Sequence, residues 1–112
     1  MIEKLDLKLL PKDISEDALY EEVEGGYASD LLSNAMGQGQ TGMVWVTMQG
    51  HQNVAAVASL IGFAAVIVAG DGPVAEDTLH KANLNDVVVA ATEEPAFEVI
   101  GKLYELGVGK KD

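Results

Sequence analysis

The chain has no cysteine and no arginine among its 112 residues. The first absence excludes disulfides, thiolate nucleophiles and cysteine-ligated zinc. The second removes the usual bidentate clamp for phosphate or carboxylate. An anionic ligand would have to rely on backbone N–H groups, helix N-termini or the seven lysines. Other patterns are missing too. There is no G-x-x-x-x-G-K-[ST] phosphate loop, no G-x-S-x-G nucleophile elbow and no H-x-H or H-E-x-x-H spacing. Asp71-Gly72 lacks the rest of an EF-hand loop. No metal, cofactor or catalytic set is therefore expected. The first residues carry neither the basic start nor the apolar run of a signal peptide, and the apolar stretch at 54–69 is broken by Ser59 and Gly62. These features predict a cytoplasmic chain with no membrane partner.

What is present suits one globular domain: 48% hydrophobic and 22% charged residues. The formal charge is -11, from 18 acidic residues against 7 lysines. Such a surface favours solubility and repels phosphate backbones, so no nucleic-acid partner is expected.

Leu5, Leu7 and Leu9 alternate with Asp6 and Lys8, which predicts a short half-buried strand ended by Pro11. Residues 14–22 read as one capped helical turn or an ordered loop. Gly25-Gly26 punctuates the chain, and Ser29 is the expected N-cap of a helix over 30–36 that Gly37 and Gly39 end. From residue 43 the pattern is regular. Strands are predicted at 43–48, 64–69 and 87–91, the last two wholly apolar as in strands buried on both faces. Helices are predicted at 54–61 (capped by Asn53, stopped by Gly62), 74–82 and 96–106 (capped by Thr92). Phe97, Ile100, Leu103 and Tyr104 fall on one face of the last helix. The expected fold is a single α/β domain, a mostly parallel sheet with helices packed on it in two or three layers. Residues 1–42 would form an irregular layer with a Gly-Gly turn, and 43–108 a βαβαβα unit.

Ligands of open parallel sheets sit beyond the carboxyl ends of the strands. Three connections fall there, at 49–53, 70–73 and 92–95. The first is the most polar. Gln49, His51, Gln52 and Asn53 stand at a helix N-terminus, which favours an anion. The competing reading is local: Asn53 caps the helix and His51 packs on a neighbouring loop. His51 is the one strong candidate for proton transfer, and Asp30 is the carboxylate that folding could bring to it. His80 reads as a surface residue, Trp45 and Phe63 as packing. Gly25-Gly26 is either a plain turn or a place needing unusual torsions or close backbone approach. The candidate ligand set is thus Gly25, Gly26, Tyr27, Ser29 and Asp30, joined by Gln49, His51, Gln52, Asn53 and Thr92.

The segment Val23-Glu24-Gly25-Gly26-Tyr27-Ala28-Ser29-Asp30-Leu31-Leu32-Ser33 resembles the signature of the DRTGG domain family. Thr47-Met48-Gln49-Gly50-His51-Gln52-Asn53 is similar to the family's strand–loop–helix step, and 92–106 to its closing helix. Glu22-Val23-Glu24 stands where the namesake has Asp-Arg-Thr, so any role of that arginine is lost. The resemblance implies a regulatory module of the kind that accompanies CBS domains in some pyrophosphatases and phosphotransacetylases. It is related to the N-terminal part of bacterial HPr kinase/phosphorylase. It also implies a homodimer. The label "serine kinase", given to some stand-alone relatives, does not transfer to a chain without the kinase phosphate loop.

Together these readings predict a non-catalytic regulatory module, homodimeric, taking a small-molecule ligand. A second reading is a structural docking subunit for a partner enzyme, using Met43, Trp45, Met48 and the Phe97 helix. A third is a small hydrolase or transferase built on His51 and Asp30.

Overall fold

The computed structural model describes residues 8–9, 23, 25–30 and 32–108. Their elements in chain order are β1 (Lys8–Leu9), β2 (Gly25–Ala28), α1 (Leu32–Gln38), β3 (Met43–Thr47), α2 (Gln52–Ile61), β4 (Ala65–Val68), α3 (Glu76–Asn85), β5 (Val89–Ala91) and α4 (Ala96–Glu105). They build a five-stranded sheet in the order β1-β5-β4-β3-β2. Strands β2 to β5 are parallel, and β1 joins β5 antiparallel.

The parallel strands follow one another in space as they do in sequence. Each right-handed crossover then returns on the same side. This places α1, α2 and α3 on one face, where Ala35, Val54, Ala55, Ala58 and Ala82 pack against Trp45, Val66, Val68 and Val89. The other face carries Val44, Val46, Ala65, Ile67 and Val88, covered by Val99 and Leu103 of α4. The domain therefore has three layers. The sheet register sets the alternation: Tyr27, Trp45, Val66 and Val89 form one row on the first face. Ala28, Val46, Ile67 and Ala90 form the neighbouring row on the second. Burial on both sides is why strands β4 and β5 are unbroken apolar runs.

Several local expectations change. Gly25 and Gly26 begin a strand, not a turn, so the regular βα alternation starts at residue 25 and the irregular layer does not extend to 42. Neither glycine has a positive φ. A Cβ at Gly25 would meet Met43 at 3.5 Å, and one at Gly26 would meet Val108 at 3.6 Å, both ordinary contacts. Special torsions and close approach are thus both ruled out there. Helix α1 begins at Leu32, three residues past Ser29, so Ser29 is not its cap. Asn53 does not cap α2 either. The cap is His51 (φ -72, ψ 151), whose side chain accepts the Asn53 N–H, while Gly62 closes the helix in the left-handed region at φ 88. Thr92 lies too early to cap α4, which opens after Pro95. The α3 helix is shifted to start at Glu76 and ends at Asp86 with φ 56. The predicted strand at 5–9 is described only for Lys8–Leu9, and the reading of 14–22 lies outside the described residues.

The largest departure concerns α4. Its buried residues are Val99 and Leu103, while Phe97 is 83% exposed, Ile100 41% and Tyr104 56%. The predicted face Phe97-Ile100-Leu103-Tyr104 is thus not the buried one. Trp45, in contrast, has no exposed surface and cannot take part in docking.

Candidate functional site

The polar crest lies along the carboxyl ends of the parallel strands. Asp30 follows β2, and its Oδ1 accepts the Thr47 hydroxyl at 2.7 Å and the Met48 N–H at 2.8 Å. The buried Thr47 hydroxyl in turn accepts the Gln49 N–H at 3.1 Å. Asp30 thereby latches the end of β2 to the end of β3. Below this latch the Trp45 indole N–H donates to the Ser29 carbonyl at 2.9 Å, and Tyr27, Trp45 and Phe63 pack as an aromatic cluster.

The next connections are closed on one another. Gly50 forms a parallel bridge with Val74. Its carbonyl accepts the Ala75 N–H at 3.1 Å and the hydroxyl of buried Thr78 at 2.5 Å. A Cβ on Gly50 would lie 2.0 Å from the Pro73 carbonyl oxygen, so only glycine lets these loops meet. Farther along, Asp71 N–H donates to the Thr92 carbonyl at 3.0 Å, and Gly70 N–H donates to the Glu94 carbonyl at 2.6 Å. The Thr92 hydroxyl accepts the Glu94 N–H at 3.2 Å, and the Glu94 carboxylate pairs with the Lys102 ammonium.

The predicted ligand set is divided by this arrangement. Asp30 and Gln49 come together through Thr47, with Ser29 just below. His51 and Asn53 are joined by the cap, at 3.2 Å from Nδ1 to the backbone N–H, and Gln52 starts the helix beside them. Gly26 and Tyr27 point to opposite faces of β2: Gly26 beside Val44 on the α4 face, Tyr27 beside Trp45 on the other. Gly25 lies at the far end of that strand. Thr92 follows β5, three strands away from β2. No hydrogen bond links His51 to Asp30 among the described residues. Nδ1 of His51 accepts at the α2 cap and Oδ1 of Asp30 accepts at the latch, so each of these atoms serves the local structure. The described residues contain no group of three or more His, Asp or Glu able to hold a metal ion, and no helix long and apolar enough to cross a membrane.

A different feature appears on the second face. Residues on a helix advance about 100° each. With Val99 and Leu103 turned into the sheet, Ile100 and Tyr104 are carried round toward β2. There Gly26 and Ala28 leave no bulk to meet them. The result is a groove of about 270 Å³ lined by Val46, Ile100, Leu103, Tyr104 and Val108, with Gly26, Tyr27 and Ala28 along its outer side. Phe97 extends the apolar stripe beyond the groove. The sequence did hold a signal for it. Helix α4 carries two apolar stripes, Phe97-Ile100-Tyr104 and Val99-Leu103, where one core-facing helix needs only one.

No protein-family model matches the chain, and no curated protein matches it.

Proposed function

We propose that this domain is a non-catalytic protein-interaction module of the cytoplasm that docks a partner polypeptide on the flank between β2 and α4. The observation that carries the reading is the outward stripe of α4, with Phe97 83% exposed beside an apolar groove. A contiguous apolar patch, here Phe97, Ile100 and Tyr104 with the groove beside them, is the kind of surface that marks an interaction site. The crest supports the same reading from the opposite side. Its two chemical candidates, His51 and Asp30, serve a helix cap and a strand latch, and no hydrogen bond joins them among the described residues. A regulatory role of the DRTGG kind fits such a module, since regulation through a docked partner needs no chemistry of its own.

The test is a photo-reactive benzophenone side chain placed at position 97 and, as a control, at Asp77 on the exposed start of α3. Cross-linking to a polypeptide from position 97 and not from 77 is expected. Sedimentation of the wild type against Phe97→Ser separates a second copy of the chain from a foreign partner. No cross-link from 97, together with identical sedimentation of both proteins at every concentration, rejects the reading.

A further inference from the structure

Strand β2 forms one border of the sheet, with no strand beyond it among the described residues. The hydrogen bond from Ser29 N–H to the Val46 carbonyl shows which of its peptide groups are spent. In a strand the N–H and C=O of one residue point to the same side, and the sides alternate. Tyr27 and Ser29 therefore turn theirs toward β3. Gly26 and Ala28 turn theirs outward, where they meet no partner among the described residues. These same two residues border the apolar groove, and Ile100 of α4 overhangs it.

Charge narrows the occupant. In sequence, β2 is preceded by Glu22 and Glu24 and followed by Asp30, and α4 exposes Glu98 and Glu105. An antiparallel second copy of β2 would set acid against acid at both ends, which opposes pairing. A strand with basic flanks would complement them. We propose that β2 accepts an added strand: an extended segment of another protein, apolar at alternate positions and flanked by lysine or arginine. Its backbone pairs with the outward groups of Gly26 and Ala28, and its inward side chains reach over these two small residues into the groove beside Ile100 and Val108. This rests on the docking reading above, and specifies backbone pairing in addition to a hydrophobic contact.

The experiment is amide hydrogen exchange by NMR on the full chain. Three synthetic probes are added: Lys-Val-Thr-Val-Thr-Val-Lys, a twin with glutamate at both ends, and a twin with proline at the central valine. In the free protein the Gly26 and Ala28 amides exchange fast while those of Tyr27 and Ser29 are protected. The basic peptide slows Gly26 and Ala28 at least tenfold and binds at least tenfold more tightly than the acidic twin. The proline twin does not bind. Ala28→Pro removes one outward N–H but no bond to β3, as suits an edge strand, and abolishes peptide binding. Protection of Gly26 and Ala28 in the free monomer means the chain covers its own edge and overturns the proposal. Protection that grows with protein concentration assigns the edge to a second copy and also overturns it. Binding by none of the probes, or equally by all, does the same. If Phe97→Ser abolishes binding while Ala28→Pro does not, strand addition fails and the docking flank stands.

Discussion

The latch between β2 and β3 can be tested by a double-mutant cycle at Asp30 and Thr47. Asp30→Ala removes two acceptor interactions, one from the Thr47 hydroxyl and one from the Met48 N–H. Met48 N–H lies at the surface and can turn to water. The Thr47 hydroxyl cannot, since Thr47 is only 2% exposed. The cost is one net hydrogen bond plus a buried donor without a partner, about 2 kcal/mol. Because Asp30 is itself exposed, screening keeps its charge from adding much more. Thr47→Val preserves shape, loses the same bond and strands the Gln49 N–H, which can hydrate, for about 1.5 kcal/mol. The bond between the two side chains is counted in both single mutants but lost once in the double mutant. The double variant should therefore fall short of the sum by about 1 kcal/mol. Urea unfolding with a constant m-value measures each corner of the cycle, and near 112 residues each kcal/mol also shifts Tm by about 4 °C. Additivity within about 0.3 kcal/mol would refute the latch, because independent sites add to that precision.

His51→Ala should cost about 1 kcal/mol through loss of the α2 cap, His51→Asn should recover most of it, and Asn53→Ala should be nearly neutral because Asn53 contributes only its backbone N–H. Thermal unfolding of the three variants reads the ranking, and a larger loss at Asn53 than at His51 would contradict it. Gly50→Ala drives a methyl group into the Pro73 carbonyl and breaks the closure onto Thr78, for about 3 kcal/mol or more. A Tm within about 2 °C of wild type would show that this junction is not packed as described.

The alternation of apolar runs with glycine and polar turns made the parallel sheet legible from residue 43 onward, because strands buried on both faces leave no room for polar residues. The same logic fails at β2. Gly25-Gly26-Tyr27-Ala28 has too little bulk and too many glycines to read as a strand, and it is one only because β3 supplies its hydrogen bonds. The helix caps depart from local propensity for a related reason. Ser29, Asn53 and Thr92 all have the right chemistry for a cap, but the start of each helix is set by how it docks on the sheet, two or three residues away from the propensity optimum. In α4 the apolar arc was plain in the sequence, yet which part of it faces inward depends on the helix's rotation over Val44, Val46 and Ile67.

By itself, then, the sequence determined the class of fold, the composition of the core and what chemistry the chain lacks, since these follow from residue types and their local periodicity. Tertiary structure alone decided three things: that Asp30 meets Thr47 across 17 residues, that His51 spends its acceptor on a cap, and that Phe97 and Ile100 face outward, Ile100 beside β2. The first and third depend on contacts between distant segments, about which local propensity carries no information. The second is a local contact, but it forms at His51 because docking on the sheet sets where α2 begins.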